Sequence, residues 1–361
     1  MSQVYNFNAG PAILPRPVLE HIRHELLDYE GRGLSIMEMS HRSKEFMALV
    51  AEAEALIKEL LAVPSGYRVL FLQGGASTQF AMVPMNFLPS ERTADYLLTG
   101  VWSEKALEEA KTFGKTHIAG STKEDQYRRV LRPEEVQLSD NPAYVHLTSN
   151  NTIYGTQWRA LPTFDEHPLV ADMSSDVLSR PFNVAPYGLI YAGAQKNLGP
   201  AGVTIVIIRE EWIARVPKTV PSMLRYDIHA KNDSLYNTPP VFPIYATCLV
   251  LRWLQELGGA EEIALRNETK AATIYNVIDE SDGFYRGHAE RDSRSLMNIT
   301  FRLPTEQLEK AFASQAKAQG FVGLEGHRSV GGLRASTYNA MPLEGCVALA
   351  DFMREFQRTQ G

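Results

Sequence analysis

Apolar residues follow two patterns along the chain, a helical spacing and short continuous runs, and these predict alternating helices and strands. Over 18–29 and 46–61 they recur every three or four residues, as on the buried face of a helix. Two further helical segments cover 75–88 and 104–113. Short apolar runs bounded by turn residues, typical of buried strands, lie at 68–72, 96–99, 144–147, 169–171, 189–192 and 203–208. This alternation predicts an α/β fold with a mostly parallel sheet covered by helices.

The pattern becomes more compact after Gly258 and Gly259. A helical stretch over 260–278 is followed by strand-like segments at 297–301, 321–324 and 333–336 and by helical segments at 305–318 and 343–357. We therefore predict two domains. Residues 1–259 form an N-terminal segment and a large domain, and residues 260–361 form a smaller α/β domain.

Composition excludes several classes of protein. The chain has 361 residues, of which 44% are apolar and 22% charged, which is ordinary for a globular protein with a large core. Its net charge of −6 argues against a surface built to neutralise nucleic-acid phosphates. Only two cysteines are present, no signal peptide is visible, and apolar runs such as 203–208 are far shorter than the ~20 residues of a membrane span. We predict a cytoplasmic protein without membrane or nucleic-acid partners.

One lysine stands out by its surroundings. Lys196 lies between two strand-like runs, in a loop crowded with glycine and alanine. A solvent-exposed lysine needs no such space, whereas a lysine joined to a bulky carbonyl compound as a Schiff base does. Most single lysines are nevertheless ordinary surface residues, so the interpretation depends on further signals.

A carboxylate supplies one such signal. Two strand-like runs follow one another in this part of the chain. Asp172 ends the run that begins at 169, and Lys196 comes shortly after the next run, 189–192. In a parallel sheet both residues would lie at the same carboxyl edge, where ligands of open α/β sheets bind. There Asp172 could keep a heterocyclic nitrogen protonated. A helix N-cap is an equally good interpretation of this aspartate alone.

A glycine-rich turn supplies another. The segment 73–79 (QGGASTQ) lies between a strand and a helix, where backbone N–H groups and the helix dipole favour an anion. It matches neither the GxGxxG nor the Walker pattern, which argues against nucleotide binding and against a nicotinamide dehydrogenase. The histidines show no HExxH or similar spacing, and we expect no metal site.

With these signals in place, the chain resembles the class V aminotransferases, which are pyridoxal-phosphate enzymes. Their fold is the aspartate-aminotransferase-like fold type I, with a large, mostly parallel sheet domain and a smaller C-terminal α/β domain. The resemblance is carried by motifs spread over nearly the whole chain, at 6–12, 39–43, 71–76, 148–155, 194–202, 236–240 and 326–336.

The resemblance implies a set of residues that hold pyridoxal 5'-phosphate. It makes Lys196 the covalent attachment point and Asp172 the partner of the pyridine nitrogen. Trp102 matches the stacking aromatic, although by itself it could equally be a half-buried anchor at a helix start. The remaining cofactor contacts implied are Thr152, facing the phenolic oxygen, and Ala76, Ser77, Gln195, Asn237 and Thr238, around the phosphate.

Asn237 and Thr238 are implied to reach that phosphate from the partner subunit. The resemblance therefore implies a homodimer with shared active sites. The arginine common in the phosphate loop of the family is missing from 73–79 here, which makes the hydroxyl groups of that loop more important.

Two His-Arg-Ser triplets suggest sites for anionic substrates, because arginine offers a planar fork that fits carboxylate and phosphate. Either His-Arg pair, taken alone, could be an ordinary pair of solvent-exposed charged residues. The resemblance implies that Arg334 binds the α-carboxylate and that His41, Arg42, His327 and Arg328 form the pocket for the distal anion.

The activity implied is transamination between glutamate and 3-phosphohydroxypyruvate, which yields 2-oxoglutarate and O-phosphoserine, as in serine biosynthesis. Whether 4-phosphohydroxythreonine, from pyridoxine biosynthesis, is a second substrate stays open. So do three other functions: an alanine–glyoxylate type aminotransferase, a cysteine desulfurase, and a non-catalytic metabolite-binding protein of the same fold. A desulfurase needs a nucleophilic cysteine, whereas Cys248 and Cys346 lie in apolar patterns typical of a core.

Overall fold

The computed structural model describes residues 4–164 and 167–361. The strands are β1 (Tyr5–Asn6), β2 (Tyr67–Leu72), β3 (Thr93–Leu98), β4 (Lys115–Ser121), β5 (Tyr144–Thr148), β6 (Asn150–Asn151), β7 (Thr156–Gln157), β8 (Leu169–Asp172), β9 (Tyr187–Gly193), β10 (Thr204–Arg209), β11 (Arg286–Gly287), β12 (Asn298–Arg302), β13 (Phe321–Val322) and β14 (Leu333–Ser336). The α-helices are α1 (Arg16–Glu25), α2 (Lys44–Leu60), α3 (Gly75–Phe87), α4 (Val101–Ala110), α5 (Glu210–Ile213), α6 (Tyr226–Lys231), α7 (Val241–Glu256), α8 (Gly259–Asp279), α9 (Glu306–Ala318) and α10 (Leu343–Gln360).

A large sheet organises the first part of the chain. Within the described ranges it has seven strands in the order β2-β10-β9-β8-β5-β3-β4. The five strands from β9 to β4 are parallel to one another, and β10 is antiparallel to both β9 and β2. Because β10 reverses direction, β2 points the same way as β9. The carboxyl ends of β2, β9, β8, β5 and β3 therefore meet at one edge, and the predicted mostly parallel sheet is confirmed.

Helices cover both faces of this sheet. Successive side chains of a strand point to opposite faces, so each strand contributes to a core on either side. In β2, Val69 and Phe71 enter the core under α2 and α7, whereas Leu70 and Leu72 enter the core under α3 and α4. Both sets are buried. A parallel sheet buried on both faces explains why its strands are nearly continuous apolar runs.

A second core lies in the C-terminal part of the chain. The sheet β11-β12-β14 packs with α8, α9 and α10 around buried aromatic side chains such as Phe301, Phe312 and Phe352. The N-terminal segment joins this unit, because β1 pairs with β13 in parallel and Phe7 is buried in the same core. The domain boundary at 259/260 stays a prediction.

Two of the longer elements were not predicted from the pattern. Helix α7 is buried on most of its surface, so it has no polar face and no helical period in its apolar residues. Strand β4 lies at the edge of the sheet and buries only one of its seven residues, so it lacks an apolar run. In both cases the place in the sheet or core decides the composition.

Candidate active site

Residues from four strand ends meet at the carboxyl edge of the large sheet. Asp172 ends β8, and Lys196 follows β9 by three residues. Thr152 follows β5, and Trp102 lies in the first turn of α4 after β3. The predicted placement of Lys196 and Asp172 at one edge is therefore what the structure has.

Asp172 is held by one of its two carboxylate oxygens. Its Oδ1 accepts hydrogen bonds from the Ser174 backbone N–H at 3.0 Å and from Ser174 Oγ at 2.6 Å. Within the described part of the chain, its Oδ2 accepts none. Burial raises the pKa of Asp172, against the hydrogen bonds from Ser174 and the charge of Lys196. The side chain is only 5% exposed, so the free oxygen requires a partner from outside the chain.

Lys196 has a free amine in a largely enclosed place. Burial lowers the pKa of its amine, the charge of Asp172 opposes this shift, and the charge of Arg334 adds to it. Its Nζ lies 6.0 Å from the centroid of the Trp102 ring and donates no hydrogen bond to any of the residues described. A lowered pKa keeps more of the amine neutral, which is the nucleophilic form.

Contacts from distant parts of the chain fix the Lys196 loop. The backbone N–H of Ala12 donates to Gln195 O at 2.9 Å, and a Cβ on Gly10 would lie 3.6 Å from Lys196 Cε. Asn197 Nδ2 donates to Val177 O at 3.1 Å, and Asn197 Oδ1 accepts from the backbone N–H of Asn339 at 3.0 Å. Sequence reasoning assigned no role to Gly10 or Asn197, although both lie within motifs that carry the resemblance.

Trp102 and Thr152 are directly connected. The indole Nε1 of Trp102 donates to Thr152 Oγ1 at 3.0 Å. Thr152 is buried, and its backbone carbonyl accepts a hydrogen bond from Arg334 Nη1 at 2.8 Å. The Nε of Arg334 is buried without a partner among the described residues. Burial lowers the pKa of Arg334. An anion is the partner that such a guanidinium lacks.

The start of α3 offers backbone donors for an anion. Gly74 precedes the helix with φ of 91°, and no side chain caps the N–H groups of the first turn, which includes Ala76 and Ser77. A Cβ at Gly74 would lie 2.0 Å from Thr78 Oγ1, so only glycine fits this position. The turn therefore offers free N–H groups to an anion, and its binding of the cofactor phosphate stays a prediction.

Asn237 and Thr238 lie beside this turn in the same chain. Asn237 Nδ2 donates to Gln73 Oε1 at 3.3 Å, and Gln73 Nε2 donates to Thr238 O at 3.4 Å. Gln73 is the residue before Gly74. The contacts seen are thus within one chain, and a reach of both residues to the partner's cofactor stays a prediction.

His327 and Arg328 lie in the loop before β14, where several positive charges act on one imidazole. The pKa of His327 is lowered by burial and by the charges of Arg334, Arg328 and Lys105. The role of His327 and Arg328 in a pocket for the distal anion stays a prediction. His327 Nδ1 also lies 2.7 Å from Ser329 Oγ. Lys105 was not among the predicted site residues, although it lies one helical turn after Trp102.

The other His-Arg pair is placed elsewhere. His41 and Arg42 lie in the turn before α2. Over residues 4–164 and 167–361, no hydrogen bond or ion pair links either of them to Arg334 or the 327–328 pair. The Nε2 of His41 is buried without a partner in the same ranges. Their role in the distal-anion pocket stays a prediction.

Both cysteines are structural. Cys248 and Cys346 are fully buried, and burial raises the pKa of each thiol to about 12. A thiol with so high a pKa is not a nucleophile near neutral pH. The desulfurase alternative therefore lacks the residue it requires.

The residues at this edge fit pyridoxal phosphate. A free amine, a carboxylate oxygen without a partner, an aromatic ring and an uncapped helix start correspond to its aldehyde, ring nitrogen, ring face and phosphate. No group of histidine, cysteine, aspartate and glutamate side chains suited to a metal occurs in the part of the chain that was described. No described helix is long and apolar enough to cross a membrane.

Comparison with known proteins agrees with this fit. The family Aminotransferase class-V matches residues 4–349. A phosphoserine aminotransferase from Herpetosiphon aurantiacus is 61% identical over 358 residues, which is 99% of each chain. The solved phosphoserine aminotransferase from Bacillus circulans subsp. alkalophilus has a TM-score of 0.98 and 57% identity over 99% of each chain. A PLP-bound phosphoserine aminotransferase from Trichomonas vaginalis has a TM-score of 0.91 and 36% identity over 98% of this chain and 100% of its own.

Fold and site together define a pyridoxal-phosphate-dependent aminotransferase of the fold type I architecture. The family match covers residues 4–349, and the phosphoserine aminotransferases compared above are up to 61% identical over 99% of the chain. The chain therefore belongs to the class-V aminotransferases and, within them, to the phosphoserine aminotransferase family.

Proposed function

We propose that this enzyme moves an amino group from glutamate to 3-phosphohydroxypyruvate, releasing 2-oxoglutarate and O-phosphoserine in a reversible ping-pong reaction. The observation that carries the proposal is the position of Lys196, close enough to both Asp172 and Arg334 for their charges to act on its amine. The amine is thus under the influence of a carboxylate and of an arginine that can bind an anion.

Arg334 binds the α-carboxylate that both amino-acid substrates share. Its Nη1 is fixed on Thr152 O at 2.8 Å, while its buried Nε has no partner among the described residues. A guanidinium held from one side presents its other N–H groups in a fixed direction. This orients the α-carbon of either substrate toward Lys196.

Lys196 moves the proton. The bound cofactor supplies an electron sink for the charge left on the α-carbon. The Nζ of Lys196 takes the proton from the α-carbon of the amino-acid substrate and returns a proton in the second half-reaction. The lowered pKa of this amine favours such a general acid–base role. Asp172 keeps the ring nitrogen protonated through its free Oδ2 and is itself oriented by Ser174.

The distal anion is bound by the 327–328 loop and by His41 and Arg42. One pocket of this kind accepts either the phosphate of phosphohydroxypyruvate or the side-chain carboxylate of glutamate. His41 and Arg42 form no hydrogen bond or ion pair with His327 or Arg328 within residues 4–164 and 167–361, and they contribute to this pocket from the second subunit of a homodimer.

Leu27, Met37 and Tyr236 are 83%, 58% and 43% exposed, and Tyr236 directly precedes Asn237. A homodimer that covers these apolar side chains would remove their surface from water. The two free, buried cysteines support the predicted cytoplasmic location.

A coupled assay tests the reaction. Glutamate with 3-phosphohydroxypyruvate is compared with glutamate and a panel of unphosphorylated 2-keto acids. We expect kcat/KM for the phosphorylated substrate to exceed the others by at least about 100-fold, the effect of charge-assisted bonds worth about 1.5–3 kcal/mol each. Equal activity with pyruvate or glyoxylate would instead support the alanine–glyoxylate alternative.

Two variants test the residues. Lys196→Ala should lose nearly all turnover, and its purified protein should lack the visible absorbance of covalently held cofactor. Mixing Lys196→Ala with Arg42→Ala tests the shared site, because a hybrid dimer has one site with both residues intact. Activity at low substrate concentration should rise on mixing and refolding, and an unchanged rate would contradict the shared site.

A further inference from the structure

Lys105 carries a charge that no carboxylate of residues 4–164 and 167–361 neutralises in an ion pair. It lies on α4 one turn after Trp102, with its Nζ 4.8 Å from the centroid of the indole ring. Its neighbour Glu104 pairs instead with Lys123, at 2.7 Å. Among the residues described, Lys105 forms no ion pair, and it is exposed to solvent.

The ring under Lys105 connects it to the substrate site. Trp102 donates to Thr152 Oγ1 at 3.0 Å, and Arg334 donates to Thr152 O at 2.8 Å. Lys105 is also one of three cations whose charge lowers the pKa of His327, together with Arg334 and Arg328. The charges of cations from α4, from β14 and from the 327–328 loop therefore all act on one imidazole.

Three like charges around a histidine repel one another unless an anion lies between them. The chain as a whole has a net charge of −6, so a local excess of positive charge is not a general property of its surface. Arg334 is committed to the α-carboxylate. Lys105, His327 and Arg328 are left to face the distal group of the substrate.

We propose that Lys105 is a specificity-determining residue of the distal-anion pocket and makes it favour a phosphate over a carboxylate. This inference rests on the proposed function and adds to it a residue on the large domain. A phosphomonoester carries a charge of about −1.5 to −2 near neutral pH, whereas a carboxylate carries −1. An additional cation at the same distance therefore favours the phosphorylated substrate more than glutamate.

The test measures the two substrates separately in the holoenzyme. Lys105→Gln should raise KM for 3-phosphohydroxypyruvate by about 3- to 10-fold and KM for glutamate by less than about twofold, with kcat little changed. Lys105→Arg keeps the charge and should restore most of the difference. Lys111→Gln is the matched control, since Lys111 is an exposed lysine at the end of the same helix, paired with Glu108.

A binding experiment makes the test independent of turnover. Calorimetry with inorganic phosphate as the probe should show weaker binding to Lys105→Gln than to the parent and the Lys111→Gln control. The loss should shrink as salt concentration rises, because the interaction is electrostatic.

Three outcomes overturn the inference. If Lys105→Gln raises both KM values equally, Lys105 acts through the position of Trp102 and not through its charge. If neither KM nor phosphate binding changes, Lys105 lies outside the pocket while the proposed function stands. If the parent enzyme does not act on 3-phosphohydroxypyruvate at all, the proposed function fails and the inference fails with it.

Discussion

Arg334 donates a hydrogen bond from Nη1 to the backbone carbonyl of Thr152, at 2.8 Å, and so joins β14 of the small sheet to the loop after β5 of the large one. The same Thr152 receives the Trp102 indole N–H on its hydroxyl group. A residue predicted to bind substrate is thus fixed to one predicted to border the cofactor. The relative position of the two sheets therefore decides whether the site is complete.

Arg334→Lys tests this arrangement. A lysine keeps the charge but loses the planar fork, so it cannot hold Thr152 and a carboxylate together. We expect kcat/KM to fall by about 10- to 100-fold for glutamate and 3-phosphohydroxypyruvate alike, the loss of one charge-assisted bond. Steady-state kinetics provide the measurement, with Arg286→Lys on β11 of the same three-stranded sheet as control. A loss confined to the phosphorylated substrate would mean that Arg334 binds the distal group.

Asp172→Asn should separate cofactor binding from turnover. The asparagine side chain has the same shape and still accepts the hydrogen bonds from Ser174, but it carries no charge to keep the ring nitrogen protonated. We expect normal cofactor content by absorbance after denaturation and a kcat lowered by at least about 100-fold. Ser174→Ala leaves the charge in place and should cost much less. Equal losses in the two variants would show that orientation matters more than charge.

Arg302 positions the loop that carries His327 and Arg328. Its Nη1 donates to Val330 O at 2.9 Å, and its Nε donates to Glu309 Oε1 on α9 at 2.6 Å. Arg302→Met should raise KM for 3-phosphohydroxypyruvate by about 3- to 10-fold through a less fixed loop, with kcat nearly unchanged.

The control for Arg302 is Arg354→Met, which removes an exposed pair with Asp351 on α10. Thermal melting of both variants shows whether folding is affected, and we expect shifts of only a few degrees, as for partly exposed ion pairs. A large loss of stability in Arg302→Met with an unchanged KM would assign Arg302 to folding alone.

The buried His146 should make the free energy of unfolding depend on pH. It is buried on β5, with Nε2 2.8 Å from Tyr191 Oη, and burial lowers its pKa to about 3. Between the unfolded value near 6.5 and this folded value, the unfolded chain binds a proton that the folded chain does not. The free energy of unfolding should therefore fall as the pH falls from about 6.5 toward 3.

Urea unfolding of the parent and His146→Phe between pH 4 and 7 measures this effect. The variant should show a shallower decline, because it lacks the histidine that must become charged on unfolding. His24→Phe, at an exposed position, is the control for loss of one histidine. Parallel declines in the parent and His146→Phe would assign the acid sensitivity to other groups.

Thiol reagents should leave the native enzyme active. Cys248 and Cys346 are fully buried, and both thiols have a pKa raised to about 12. Treatment with iodoacetamide at pH 7.5 should modify neither residue by mass spectrometry until the protein is unfolded. Inactivation together with modification of either cysteine would reopen the desulfurase alternative.

Much of the site follows from local sequence rules. Strand periodicity and the common direction of parallel strands place Asp172 and Lys196 at one edge, and glycine at 74 permits an uncapped helix start beside it. Both rules act over a few residues, or between neighbouring strands, so sequence is enough to apply them. The mostly parallel sheet was predictable for the same reason.

Other features depend on contacts between distant segments. The hydrogen bond from Arg334 to Thr152, the approach of Gly10 to Lys196 and the charge of Lys105 near His327 all join parts of the chain far apart in sequence. No local period encodes them, because they arise only when the small domain and the N-terminal segment pack on the large sheet. Local sequence patterns were thus enough to specify which chemical groups lie at the sheet edge. Which positive charges act on one another there follows only from tertiary packing, since electrostatic interactions depend on distance in space and not on position along the chain.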